Sequence, residues 1–544
     1  MRVRKAGYQG FWFVVAAGLL TLVGCGGEAL PTTDEGVEQQ IFLYGNGSEP
    51  RSLDPQIATG VPENHIISSL IEGLITYHLT NDDAPEPGVA ERWESNEDAS
   101  VWTFYLRKDA KWSNGDPVTA HDFVYSYERM LTPELGAEYA PMLNILKNAE
   151  AFYNGEIDDF SEVGVKAVDD HTLVLELVGP NAMLPNMLKH YSWYPVHPPT
   201  IKANGGMSDR SGAWTREGSY VGNGPFVLED WRPNQFIKVK KSPTYWDRDT
   251  VRLNQIVFFP IEDVNTELRM FRAGRLHYTN TIPTNDIPIL RESMPDKVHI
   301  DPYMGVYFYR VNVTKGPLMD PRVRKALAWA IDREMLVNKV TLGGEIPATN
   351  YVPDMFSNFH SEPAVGFDPE KARALLAEAG YPNGEGFPAI NILFNTQEAH
   401  KKIAVALAEM WRRNLGIEAS PLNKEWKVYL DDQSQLNYDV SRSGWIADYA
   451  DPMTFIDMFT TGNGNNDTGW SNARYDELVS LAQRSASEEE RIALMEEAEA
   501  LLMEEMPVIP IYWYTRKYLS DPRLRNWFPK ALDNRPFKYI YLEE

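Results

Sequence analysis

Between residues 442 and 448 the sequence reads Arg-Ser-Gly-Trp-Ile-Ala-Asp, setting a cation, a large ring and an anion at three-residue intervals. Gly444, beside Trp445, permits another backbone to approach closely. An acid and a base with backbone between them suit a small zwitterion. Its ammonium would meet Asp448 and its carboxylate Arg442, while Trp445 and Trp426 would form flat walls that accept varied side chains by area contact. A structural reading stands beside this one: Trp445 is a core ring, and Arg442 and Asp448 form an internal ion pair. The seven residues alone do not choose between the two. His400 falls at a helix start. Its imidazole is the kind of group that meets a carboxylate, although position alone reads it as a surface or capping histidine.

Motifs for bond-making chemistry are missing. The chain has no phosphate-binding Gly-x-x-x-x-Gly-Lys-Ser/Thr loop, no His-Glu-x-x-His and no nucleophile-elbow pattern. Ten histidines are scattered, and none forms a close pair at metal-ligand spacing. Adjacent acids recur at Asp82-Asp83, Asp158-Asp159, Asp169-Asp170 and Asp431-Asp432, but 77 acidic residues make such pairs ordinary on a solvated face. The expectation is a binder with no catalytic residue, no metal and no cofactor.

The scaffold that must hold these groups has 544 residues, 43% of them hydrophobic. That is too much for one core and suggests two or three folding units of ~100–200 residues each. A net charge of −25 opposes nucleic acid and anionic membrane surfaces. The N-terminus starts with Arg2, Arg4 and Lys5, followed by an apolar run from Phe11 to Val23. This run is short of the ~20 residues a membrane span needs and fits an export signal. Leu22-Val23-Gly24-Cys25 follows, and Cys25 is the single cysteine of the chain. It has no internal disulfide partner, and the tetrad resembles a bacterial lipoprotein cleavage box. Residues 1–24 are therefore expected to be a signal peptide, Cys25 a lipidation site, and 25–40 a flexible tether. A plain signal peptide with an incidental Cys25 is the alternative.

Beyond the tether, strand and helix patterns alternate, which predicts α/β lobes. Ile41 to Tyr44, Val101 to Leu106, Leu173 to Leu177, Phe236 to Val239, Ile256 to Phe259 and Ile509 to Tyr514 read as strands. Asp320-Pro321 and Asp368-Pro369 each place a cap before a first-turn proline, and Thr119 caps a helix through Met130. A helix marked by Ile403, Leu407, Met410 and Trp411 ends near Gly416, and another runs from Arg491 to about Glu505.

A series of short landmarks carries a resemblance over nearly all of the remaining chain. They are Ser52-Leu53-Asp54-Pro55, Gly60-Val61-Pro62-Glu63, Glu72-Gly73-Leu74, Pro87 to Trp93, Trp112 to Phe123, Asn223 to Phe226, Tyr245 to Asp247, Asp320 to Leu327 and Arg442 to Asp448. In this order the chain resembles the extracellular solute-binding family 5, the periplasmic oligopeptide-binding proteins of peptide uptake transporters. The resemblance implies a periplasmic-binding-protein-like fold of two hinged α/β main lobes plus an additional α/β domain. The first lobe would comprise 41–72, 197–300 and 516–544, the additional domain 73–196, and the second lobe 301–515.

It also implies roles. Asp448 would hold a peptide ammonium, Arg442 a peptide carboxylate, and His400 a tripeptide carboxylate. Trp426 and Trp445 would line side-chain pockets. Gly444 and Ile446 on one side, and Gly60, Val61 and Pro62 on the other, would pair with the ligand backbone, which every peptide shares. Thr59, Ser68 and Gln433 stand where better-known members carry charged pocket residues, which predicts less favour for basic side chains such as lysine. The implied ligand is a short peptide of about two to five residues. A narrower ligand is the alternative: a cell-wall tripeptide, a dipeptide or a nickel complex. A secreted peptide hydrolase is a more distant one. The implied partners are ABC transporter permease subunits with their ATPase subunits, and membrane lipid through Cys25. The chain would act as a monomer at the periplasm or the outer face of a bacterial envelope.

Overall fold

The computed structural model describes residues 30–544, so the signal and lipidation expectations for 1–24 and Cys25 lie outside it. The tether expectation needs correction from Leu30 onward. Thr33–Gln39 is a helix closed by a reciprocal capping box between Thr32 and Glu35. It is docked through Thr33 N–H on Gly274 O at 2.8 Å and through the His277 ring on Thr33 O. The polar composition that suggested a tether is that of a short capped surface helix.

Three main sheets organise the chain. The first runs in the order Ile41–Gly45, Gln255–Phe259, Phe236–Lys241, Phe226–Arg232, with the first pair parallel and the others antiparallel. The second has six strands: Ile346–Pro347, Val508–Leu519, Val298–Val311, Val440–Ile446, Ile390–Asn395 and Ala419–Lys424. The third is antiparallel, in the order Ala90–Ser95, Val101–Leu106, Thr172–Glu176, Val165–Asp169. Burial follows the two sheet types. Trp102, Phe104 and Leu106 alternate inward along a strand with one wet face, whereas Phe42 to Gly45 are all buried between layers. The result is a two-lobed α/β periplasmic-binding-protein-like fold with an additional α/β unit around the third sheet.

Cap chemistry set many helix starts. Asp368 accepts from Glu370 N–H and Lys371 N–H ahead of Pro369, and Asp320 accepts from Arg322 N–H ahead of Pro321. Glu398–Leu415 ends on Gly416 in the left-handed conformation.

Buried polar contacts tie the first lobe to the additional unit. Asp54, in the loop after the first strand, pairs through both carboxylate oxygens with Arg129 at 3.1 and 2.7 Å, and Trp214 donates to it at 3.2 Å. Arg129 lies on the helix Ala120–Leu131 and is 0% exposed. Removing one partner of such a pair leaves the other charge buried and unpaired. Asp54→Ala should therefore lower unfolding stability by about 3–5 kcal/mol in a denaturant titration. An unchanged midpoint would show that this junction does not hold the additional unit to the first lobe.

Candidate functional site

The strand Val440–Ile446 positions the site. It pairs antiparallel with Val298–Val311 along its whole length, but Ile390–Asn395 pairs only with Val440 and Ser441. Among the described residues no strand pairs with its second edge beyond Ser441, and the edge is open from Gly444 to Ile446. Ala447 N–H bonds Met304 O across the ladder, while Arg442 O turns the other way and accepts from Tyr429 and Gln433. Alternation along a strand then aims the backbone groups of Gly444 and Ile446 out of the open edge.

That edge faces a cavity of about 250 Å³ between the lobes. Gly60, Val61 and Pro62 line it from the first lobe, and Arg442, Gly444, Trp445, Ile446 and Asp448 from the second. His400, Trp426 and Thr59 line it as well. A second space of about 110 Å³ adjoins at His400 and Arg442. A third, of about 80 Å³, adjoins between Trp426 and Trp445.

The two charges at the cavity do not neutralise each other, so the internal ion pair is excluded. Among the described residues no carboxylate lies within salt-bridge reach of Arg442. Its guanidinium donates to Tyr514 OH at 2.8 Å and Asn395 Oδ1 at 3.2 Å, and its Nε is buried without a partner. Asp448 is 8% exposed. It accepts from Tyr139 OH at 3.2 Å, and the His190 ring stands 3.3 Å away. Ser192 N–H donates to His190 Nδ1, which leaves the proton on the other ring nitrogen, and Thr454 Oγ1 is a further hydroxyl 3.4 Å from Asp448. Burial pushes His190 down to about 3, so it stands beside Asp448 as a neutral ring and not as a counter-charge. Burial, reinforced by the nearby Asp457 carboxylate, raises Asp448 well above the ordinary carboxylate range.

His400 differs from its reading as a surface or capping residue. It is 5% exposed, with Nδ1 3.3 Å from Tyr307 OH. Burial, then repulsion from Arg442 and Lys517, holds its pKa well below the usual value. It therefore meets the cavity uncharged.

The walls also depart in part from expectation. Trp445 donates to Thr454 O at 2.7 Å and belongs to the core while one side lines the cavity. Trp426 stacks on Tyr429 with ring centroids 5.5 Å apart. Gln433 lines only the 80 Å³ side space and is engaged by Ser441 Oγ and Arg442 O. Ser68 lies outside both: it lines a separate small space with Glu72, Tyr77 and Lys538. Gly60 caps the helix Val61–Leu70, so Gly60 to Pro62 are a helix start and not an extended edge. Pro62 has no N–H, and its carbonyl accepts from Asn46 at 3.0 Å, which removes it from backbone pairing.

The structure adds residues that sequence patterns did not mark. Tyr139 and His190 come from the additional unit and complete the surroundings of Asp448. Tyr514 and Asn395 orient Arg442. Asn280, Tyr303, Arg516, Asp533 and Asn534 close the first-lobe side. These are residues brought together from seven stretches of chain, with no local spacing to betray them.

Comparison with known proteins accords with this arrangement. Residues 84–467 match the family described as bacterial extracellular solute-binding proteins, family 5 Middle. The chain is 37% identical to the periplasmic oligopeptide-binding protein OppA of Escherichia coli strain K12, over 97% of this chain and 98% of the relative. It superposes on the Escherichia coli murein tripeptide binding protein MppA with a TM-score of 0.88 at 34% identity, covering 93% of this chain and 98% of that one. Against the unliganded open form of MppA, at the same identity and coverage, the TM-score is 0.62. The lobes here thus stand as in the former structure and not as in the open one. The chain belongs to the bacterial extracellular solute-binding proteins, family 5, and works as a binding protein, not an enzyme.

Proposed function

We propose that this protein is the substrate-binding component of an ABC importer and encloses short peptides of about two to five residues by their free ends and backbone. One observation carries the reading. A carboxyl group and a guanidinium, neither with a charged partner, face one interlobe cavity on either side of an open strand edge. Asp448 takes the peptide ammonium. Arg442, with His400 as a neutral donor beside it, takes the carboxylate. Gly444 and Ile446 pair with the ligand backbone, and Gly60 and Val61 line the same cavity from the first lobe. Trp426, Trp445, Thr59 and Gln433 shape the side-chain pocket. The similarity to OppA, which is named for oligopeptides, supports this class of ligand, and the likeness to MppA makes a cell-wall tripeptide the second reading.

Capture works by lobe closure. Ligand contacts both lobes and stabilises the closed form by its differential affinity. The closed form then docks on permease subunits driven by their ATPase partners. Cys25, acylated, would keep the protein at a bacterial membrane from the periplasmic or outer side. Replacing it with alanine should move the protein from the membrane to the soluble fraction of lysed cells. Unchanged partition would refute the anchor.

Asp448 offers the direct test. Asp448→Asn should weaken trialanine binding by about 2–5 kcal/mol in calorimetry. The ligand ammonium lowers the raised Asp448 pKa, so wild-type binding should release protons in the pH range between the free and bound values, and affinity should fall as pH falls through that range. The variant should lose that release. In the ligand-free protein the sign reverses. A buried acid with a raised pKa destabilises the fold once pH exceeds its unfolded value, so Asp448→Asn should unfold at higher denaturant than the wild type at pH 7. Undiminished affinity in a folded variant would show the ammonium sits elsewhere.

The side pocket makes a second prediction. Its charges are already paired, Arg310 with Asp467 and Arg51 with Glu138, while Thr59 and Gln433 are neutral. Among matched tripeptides with alanine, leucine or lysine at the centre, calorimetry should show no preference for lysine. A clear lysine preference would overturn the assignment.

A further inference from the structure

Behind the Asp448 loop lies a second cavity that the peptide site does not use. Its volume is about 510 Å³, roughly twice that of the interlobe cavity. It sits where the additional unit meets the second lobe. Met142, Met183 and Met187 line it from the former, and Tyr449, Met453 and Asp457 from the latter. The loop from Ala447 to Asp457 thus has a ligand cavity on each side.

Its polar groups are unsatisfied in a particular way. The Tyr449 hydroxyl is buried with no hydrogen-bond partner among the described residues, and the residue is 1% exposed. Such an orphaned group is costly to bury unless something supplies a partner. Asp457 is half-buried, and its carboxyl has no hydrogen-bond donor among the described residues. Burial, then the Asp451 carboxylate, pushes its pKa up to about 7. The one cation on the wall, Arg491, is already engaged by Asp451 and by Glu488. Glu97 and Asp98 add negative charge at the rim. The site therefore lacks a positive charge and a hydrogen-bonding partner, while its methionines offer flexible, polarizable apolar contact.

We infer that this cavity is a second ligand site, for an organic cation with an ammonium group on an apolar body. The ammonium would bond Asp457 and the Tyr449 oxygen, and the apolar part would lie along Met142, Met183, Met187 and Met453. An anion of the same shape would face Asp457, Asp451 and Glu488 without a free cation to receive it.

The probe is 2-phenylethylammonium, with 3-phenylpropanoate as the anionic control. The protein carries ¹³C-methyl methionine and is saturated with trialanine, so that the peptide site is occupied. The Met183 and Met187 methyl resonances, assigned by Met→Leu variants, should shift saturably with the cation and not with the anion. Asp457→Asn and Tyr449→Phe should each weaken the response, the former about tenfold or more, as loss of a charge-assisted bond does. Tyr449→Phe keeps the ring and so serves if the aspartate variant does not fold. Absence of a saturable shift, equal response to the anion, or unchanged affinity in folded variants would overturn the site.

Discussion

Asp448 and Arg442 are opposite charges on one short strand and loop, and the fold holds them apart. Among the described residues neither has an ionic partner of fixed charge. The attraction between them is therefore not spent internally, and whatever enters the cavity must supply the missing charges. The two ends meet this constraint differently. A carboxyl group can escape burial by taking a proton, and the raised pKa of Asp448 is that escape. A guanidinium cannot, so Arg442 leans on the dipoles of Tyr514 and Asn395. A molecule with an ammonium at one end and a carboxylate at the other relieves both at once, in a space where water screens poorly.

Two long strands make this cavity responsive to its contents. Val298–Val311 and Val508–Leu519 pair from Val298↔Leu519 to Pro302↔Thr515, break register, and resume at Val306↔Trp513. Beyond the break they belong to the second-lobe sheet. At the other end Leu519 O accepts from Thr279 N–H of the first lobe. Other polar contacts across the cleft include Arg51 with Asp431 at 3.4 Å, the Trp426 indole with Glu63 at 3.4 Å, and Lys402 with Thr284 at 2.7 Å and Asn285 at 3.1 Å. Asp431 is more than half exposed, and such pairs contribute about 0–1 kcal/mol each. Contacts of this size hold the lobes together loosely, and leave ligand to decide how long they stay closed.

Local chemistry made much of the fold legible. Asp-Pro starts, the Gly416 stop and the alternation of Trp102, Phe104 and Leu106 are encoded within a few residues. The landmarks of the family resemblance were also visible, and the structure explains most of them as joints, not ligand contacts. Glu72 accepts from Trp246 Nε1 at 2.6 Å and exchanges backbone bonds with Asn223, so three separate landmarks meet at one buried acid. Trp112 donates to Asp122, which also completes the cap at Thr119. What stayed hidden was long-range. Nothing near His400 in sequence says that Tyr307 and Arg442 will bury it, and nothing near Ser68 says that its helix turns it away from the cleft. Tyr139 and His190 reach Asp448 from roughly 300 and 260 residues away in the chain, a distance no local pattern spans.

Gly444 shows how access to backbone and control of charge are joined. Its φ is ordinary for a strand, so conformation does not demand glycine. Space does: a Cβ there would stand 2.6 Å from Tyr514 OH and 3.3 Å from the Arg442 guanidinium. The hydroxyl that orients Arg442 therefore lies directly over the strand edge that would pair with ligand. Any larger residue at 444 would push Tyr514 aside and free the guanidinium as well as cover the edge. A receptor that reads chain ends and amides, and leaves side chains to flat aromatic walls, needs both features within one residue of each other. The missing side chain at 444 lets them coincide.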